Sequence, residues 1–239
     1  MQLLRSVASP PRRASTSTRA SAPTRATDST RPPASTRTRV LDVAERRFAA
    51  HGYRATSIRD ITAEARCNLA SVNYHFGGKR NLYREVFRRR LRALREHRIA
   101  SIRRAMSDAG QRASLDLLLR AFTTAFLEPH LDDSGGRLLM QLFSRELLDP
   151  HLPPNMLRRE MMEPVEDALT EAIGRVCDGL AVRAARRCIH SIVAQLAHVV
   201  QMRRLPGSAR GARHDDFASP EFVGHIVRFS AAGIRACRG

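Results

Sequence analysis

The sequence predicts an all-α protein: an N-terminal three-helix head of the helix-turn-helix kind, followed by a larger helical domain. Three observations carry this. Apolar residues recur at i, i+3/i+4 and i+7 from about Thr38 onward, and no strand-period alternation of useful length interrupts them. Two short helical stretches between residues 57 and 76 flank a tight turn. Charge is also unevenly spread. Residues 1–39 hold eight Arg against one Asp, residues 40–104 sixteen basic residues against six acids, and residues 105–239 seventeen Arg against sixteen acids. Nearly all of the +18 net charge of the 239-residue chain therefore sits in its first 104 residues. A basic region joined to a near-neutral one reads as a nucleic-acid-binding part and a part with another task.

The elements follow in order. Residues 1–36 are Ser, Thr, Arg, Ala and Pro with little to bury, so they are expected to form a disordered basic tail. Their acid-poor composition also resembles a transit peptide. A first helix carries Val40, Leu41, Ala44 and Phe48 on one face and is expected to stop near His51-Gly52. Ser57 opens a second, with Asp60 at capping-box spacing and Ile58, Ile61 and Ala65 on its apolar side. Arg66-Cys67-Asn68 read as a turn. Asn68 then caps a third short helix, Leu69 to His75, which Gly77-Gly78 terminates. A long fourth helix is expected over about Lys79–Ala105. Leu82, Val86, Phe87, Leu91 and Leu94 line its apolar side, and Arg84, Arg88, Arg89, Arg90, Arg92 and Arg95 form an arginine-rich exposed face. Further helices are expected near 112–128, 135–148, 155–176, 182–204 and 218–237. The breaks fall at Pro129, Pro150, Pro153-Pro154, Gly179 and a Pro206–Asp216 loop, with a kink at Pro164. This divides the chain into a tail (1–36), a head (37–84) and a larger helical domain (85–239), whose task the resemblance given below implies to be effector binding and dimerisation.

In a helix-turn-helix the second helix enters the major groove, so its inward positions are apolar and its outward ones small or polar. Val72 and Phe76, four apart, suit the core. That leaves Leu69, Ala70, Ser71, Asn73, Tyr74 and His75 to face DNA. Asn and Ser can hydrogen-bond bases or phosphates, Leu and Ala can meet a thymine methyl, and Tyr and His can donate to phosphates. Lys79, the only lysine, opens the next helix, where free backbone N–H groups also favour a phosphate.

The stretch Phe48-Ala-Ala-His-Gly-Tyr-Arg-Ala-Thr-Ser-Ile-Arg-Asp-Ile-Thr-Ala-Glu-Ala65, and then Val72-Asn-Tyr-His-Phe-Gly-Gly-Lys-Arg-Asn-Leu-Tyr83, resembles the DNA-binding domain of the TetR/AcrR family. The similarity runs over about residues 38–85 without gaps. It implies that Thr56, Ser57 and the 68–75 helix, Asn68 included, approach DNA, with Tyr74, His75 and Lys79 on phosphates. One departure is Arg66, where the family usually has glycine. If that position needs a positive φ, arginine there costs about 1 kcal/mol. The wording Asn68–Phe76 and Ser144-Arg-Glu-Leu-Leu-Asp-Pro150 resembles the branch with CecR-type regulatory domains. The ending Ile226–Arg235 is similar to a common last helix of the family. The resemblance implies a homodimer whose last two helices form a four-helix bundle with a second copy. It also implies double-stranded DNA with an inverted-repeat operator as partner, and an unidentified small-molecule effector, for a regulator that is a repressor.

From the residues themselves, the 189–202 stretch has a wide apolar face (Ile189, Ile192, Val193, Leu196, Val199, Val200), with Ala194 and Ala197 allowing close approach; core within one subunit is the plain alternative. Candidate cavity walls are Phe122, Phe126, Met140, Phe143, Met161 and Met162, and candidate polar contacts are His130, His190, Gln195 and His198. The four cysteines have no metal-ligand spacing and read as reduced thiols of a cytoplasmic protein. No apolar run reaches a bilayer's span, so no membrane partner is expected. Without a phosphate loop, a nucleophile elbow or a metal motif, neither catalysis, a cofactor nor a metal is expected. An architectural protein binding nucleic acid non-specifically is the alternative that charge alone permits.

Overall fold

In the computed structural model, which describes residues 35–131, 135–202 and 219–238, the first helix starts where the Ser/Thr-rich tail ends. Ser35 accepts a hydrogen bond from the Thr38 amide at 3.2 Å and caps α1 (Thr36–Ala55). The rest of the expected tail lies outside the described residues, as does the expected 206–216 loop. The order continues with α2 (Ile58–Glu64), α3 (Leu69–Phe76), α4 (Lys79–Ala109), α5 (Leu115–Leu131), α6 (Gly135–Leu148), α7 (Glu163–Val176), α8 (Val182–Met202) and α9 (Pro220–Ala236). No strand occurs among the described residues.

Two apolar clusters organise the described residues, which belong to one compact unit. The first gathers the inward faces of α1 to α4 around Phe48, Val72, Phe76, Tyr83 and Phe87, and it also takes in Leu142 of α6 and Met156. The head is therefore not closed by its own three helices. The second cluster is built from α5, α7, α8 and α9 with Ile102 of α4. At a rise of 1.5 Å per residue, α4 is about 46 Å long and joins both.

The arginine-rich face of α4 is not a solvated stripe. Arg89 donates to Asp42 at 2.6 Å and also to Glu45, which is 1% exposed; Arg90 pairs with Glu45 as well. A buried carboxylate needs such partners, and these two clamp α1 onto α4. Arg88 donates to Glu160, and Arg95 to the Glu160 carbonyl, both at 3.0 Å. Of the six arginines named on that face, only Arg92 is exposed and the other five are half-buried.

Two prolines act differently from expectation. Pro129 does not end α5, which runs on to Leu131. Lying in the last turn, it forfeits only one backbone bond. Its carbonyl packs so close to α6 that a Cβ on Gly136 would lie 2.9 Å away, which explains glycine there. Pro164 does coincide with an irregularity, but as a π turn over Arg158–Met162: the Glu163 amide reaches back to the Arg158 carbonyl, and the proline falls within the first turn of α7.

Candidate nucleic-acid interface and internal cavity

The reading head is set by three local devices. Ser57 Oγ accepts from the Asp60 amide at 3.1 Å, and the Ser57 hydroxyl in return holds the Asp60 carboxyl below its ordinary value. At the other end of α2 the Arg66 amide bonds the Ala63 carbonyl at 3.2 Å, and the Cys67 amide bonds that of Thr62 at 3.0 Å. This is the Schellman pattern, and it places Arg66 at φ 51°, the only non-glycine residue with positive φ among those described. Asn68 Oδ1 then accepts from both the amide and the hydroxyl of Ser71, at 2.8 and 2.7 Å, and starts α3.

On α3, Val72 and Phe76 are buried. Leu69, Ala70, Asn73 and Tyr74 are exposed, Tyr74 to 86%, and Ser71 and His75 are half-buried. An exposed phenol whose hydroxyl has no partner among the described residues is free to donate. Ser71 has committed its proton to Asn68, which leaves its lone pairs to accept. Ser57 is exposed beside this surface. Thr56 is not: it is 2% exposed, and its hydroxyl donates to the Gly52 carbonyl at 2.7 Å, so its side chain fixes the link into α2. Lys79 is tethered at the foot of α4. Its Nζ lies 4.5 Å over the Tyr53 ring and 3.4 Å from the Arg54 carbonyl, and burial lowers its pKa. The residue before it, Gly78, offers no side-chain cap, so the first amides of α4 remain open donors.

A second feature lies along α4. A cavity of about 320 Å³ opens between α4, α5, α6, α7, α8 and the π turn. All six walls expected from the sequence line it: Phe122, Phe126, Met140, Phe143, Met161 and Met162. His130 and His190 do as well.

A family profile for bacterial regulatory proteins of the tetR family matches residues 40–86. A second, for the C-terminal domain of the HTH-type transcriptional dual regulator CecR, matches residues 115–234, half of the chain. The chain belongs to the TetR family. Solved structures agree on the fold of this TetR-family protein. A TetR-family transcriptional regulator from Streptomyces coelicolor is 22% identical with a TM-score of 0.59, over 84% of this chain and 96% of that one. A transcriptional regulator from Pseudomonas aeruginosa PAO1 is 17% identical with a TM-score of 0.64, over 84% and 90%. One from Saccharomonospora viridis, solved in complex with choline, is 19% identical with a TM-score of 0.53, over 82% and 93%. No match is found among curated proteins.

Within this TetR-family fold two sequence expectations need correction. His198 is exposed and does not line the cavity, nor does Gln195. Eight residues along a helix leave a rotation of about 80°, so His190 can meet the cavity while His198 misses it. Leu196 is fully buried in its own subunit's core, so it offers no surface to a second copy.

The sequence reading also missed two groups. The first is a latch on α6. Arg145 donates from Nε to the Ala49 carbonyl at 2.7 Å and from Nη2 to that of Ala50. Gly52, at φ 80°, breaks α1 there and orphans those carbonyls. Glu146 accepts from the Tyr83 hydroxyl at 2.9 Å, which with burial pushes that phenol's pKa up, and Arg54 reaches Asp149 at 3.1 Å. The His151 ring packs at a tilt against that of Tyr53, with centroids 4.1 Å apart. No periodicity could have revealed hydrogen bonds made 63 to 96 residues apart. The second is Arg98, which lines the cavity at a position continuing the buried series Leu91, Leu94, Arg98, Ile102. That spacing was visible in the sequence. Among the described residues, no helix is long and apolar enough to cross a membrane, and no cluster of three metal-ligating side chains occurs.

Proposed function

We propose that this TetR-family protein is a repressor that binds an inverted-repeat operator as a dimer and releases it when a small molecule occupies the cavity. The observation that carries the reading is the arrangement along α4. Its first turn abuts the reading head, and its residue 98 lines the cavity, about 28 Å further along the same helix. A tilt of only about 5° about the cavity end would move the head by about 2.5 Å, enough to mismatch a groove. Helix α6 provides a second mechanical link, since Met140 and Phe143 line the cavity while Arg145, Glu146 and, just past its end, Asp149 grip the head.

Two copies are needed because one short helix reads only a few base pairs. The faces of α8 and α9 turned away from the core support the assembly. Arg187, Ser191, Ala194 and His198 share one side of α8; His225, Phe229, Ala232 and Ala236 share one side of α9. Phe229 is 61% exposed, stacks on His225 and is flanked by small residues that permit close approach.

Footprinting on the DNA upstream of the protein's own gene tests this reading. Protection of two half-sites related by a dyad is expected. Asn73→Ala should lose about 1–3 kcal/mol on the operator if the side chain reads a base. Lys79→Ala should weaken all sequences alike and flatten the salt dependence. Wild-type affinity and salt slope in both variants would remove α3 and the foot of α4 from the interface.

A further inference from the structure

The cavity contains a cation for which the described residues supply no anion. Arg98 is 4% exposed, and its guanidinium carbon lies 3.9 Å over the centre of the Phe126 ring. Nη1 donates to the Met161 sulfur at 3.1 Å, and Nε, fully buried, has no hydrogen-bond partner. A guanidinium carries five N–H donors, and a thioether is a weak acceptor. No carboxylate pairs with Arg98 among the described residues. Glu166, the one acid among the described residues that line the cavity, is turned to Arg186 at 3.6 Å and His190 at 3.7 Å. Burial pushes the Arg98 pKa down to about 10, which still leaves it charged at neutral pH.

An unpaired buried charge is a liability to folding, and at this helical position a leucine or methionine would remove it. Its value must come from something that enters. Apart from Arg98, the His130 and His190 rings, the Gln201 amide and the acid Glu166, the walls are aromatic, thioether and aliphatic. At about 320 Å³ the space is at the small end for a ligand site.

We infer that the effector is a lipophilic monocarboxylate, aryl or medium-chain alkyl, whose carboxylate pairs with Arg98 while its apolar body lies against Phe122, Phe126, Met140 and Phe143. This rests on the effector reading above and names the chemistry of that site. The carboxylate takes the Nη1 donor from Met161. Met161 belongs to the π turn, which Arg88 and Arg95 hold onto α4 through Glu160. Occupation therefore shifts the π turn against the helix that carries the head. A quaternary ammonium ligand, such as the choline of the Saccharomonospora viridis structure, would be repelled here.

The test uses the full-length protein with octanoate and 4-phenylbutyrate as probes, each beside its neutral amide, read by calorimetry and by thermal shift. The carboxylates should bind at least tenfold more tightly than the amides. Arg98→Met should erase that difference, and Arg98→Lys should keep part of it. Ligand-free Arg98→Met should melt at the wild-type temperature or above it, since it removes an unpaired buried charge. A melting temperature lowered as by a core lesion would make Arg98 structural and overturn the inference. So would equal binding of acid and amide, or failure of a series of alkanoates from four to twelve carbons to bind at millimolar concentration. Operator affinity, measured with the same probes, separates the two readings. Carboxylates that bind through Arg98 but leave DNA affinity unchanged would keep the anion site and defeat effector control.

Discussion

Replacing Arg145 by alanine should uncouple the head from the rest of the subunit. The Gly52 break leaves the last carbonyls of the main segment of α1 without intrahelical partners, and Arg145 satisfies two of them from a helix 95 and 96 residues away. A hydrogen bond from a charged donor contributes about 1.5–3 kcal/mol when well shielded. Both bonds share one guanidinium on an exposed residue, so solvent competes and about 2 kcal/mol for the pair is the reasonable figure. In a domain of this size that lowers the melting temperature by about 4–8 °C. Arg145→Lys offers a point donor rather than a fork and should recover about half. Thermal unfolding by circular dichroism, repeated in urea, reads the effect. The same variants should show a smaller ligand-induced change in operator affinity than the wild type. A melting temperature within about 1 °C of wild type for Arg145→Ala would show that the latch is a surface contact of no consequence.

Arg66→Gly should stabilise the protein by about 0.5–1 kcal/mol, because relief of the left-handed backbone outweighs the added freedom of the unfolded chain; a lower urea midpoint would mean the side chain makes a contact the geometry does not reveal. Phe229→Arg should yield folded monomers by light scattering, whereas Leu196→Arg should unfold the subunit; a Phe229→Arg dimer would place the interface elsewhere. The Glu64 carboxyl is held below its ordinary value chiefly by Arg46 and Arg47, and that of Asp149 chiefly by His151 and then Arg54. A depressed folded pKa gives stability that is complete at neutral pH and lost as pH falls from the ordinary carboxylate value of about 4 through the folded value. Melting temperature should accordingly drop over that window, and Asp149→Asn should drop less. A flat profile from pH 6 to 2 would contradict the ion-pair account.

The head was legible because its signals are local. Capping residues lie three positions apart, the apolar stripes of α1 to α4 are buried where the period puts them except for the half-buried Ile58, and Arg66 stood out as a non-glycine in a turn that does take a positive φ. The cavity walls were legible as types, since Phe and Met at helical spacing must face something. What stayed hidden was set by tertiary geometry. Leu196 and His198 lie on α8, and periodicity cannot say whether an apolar face meets its own subunit or another. Arg145 and Glu146 look like ordinary surface residues until α6 is laid against α1. Arg98 was overlooked because its charge drew it into the arginine count, although its position belongs to the apolar stripe.

The central claim is that the outward face of α3 reads sequence. Fluorescence anisotropy at one fixed salt concentration, comparing the footprinted operator with a scrambled duplex of equal length, tests it most directly. The account predicts a ratio of at least about 10³ for the wild type, reduced by Asn73→Ala through weaker operator binding with scrambled-DNA affinity unchanged. Equal affinity for both duplexes, with the same salt slope, would contradict it and leave an architectural protein that binds DNA by charge alone.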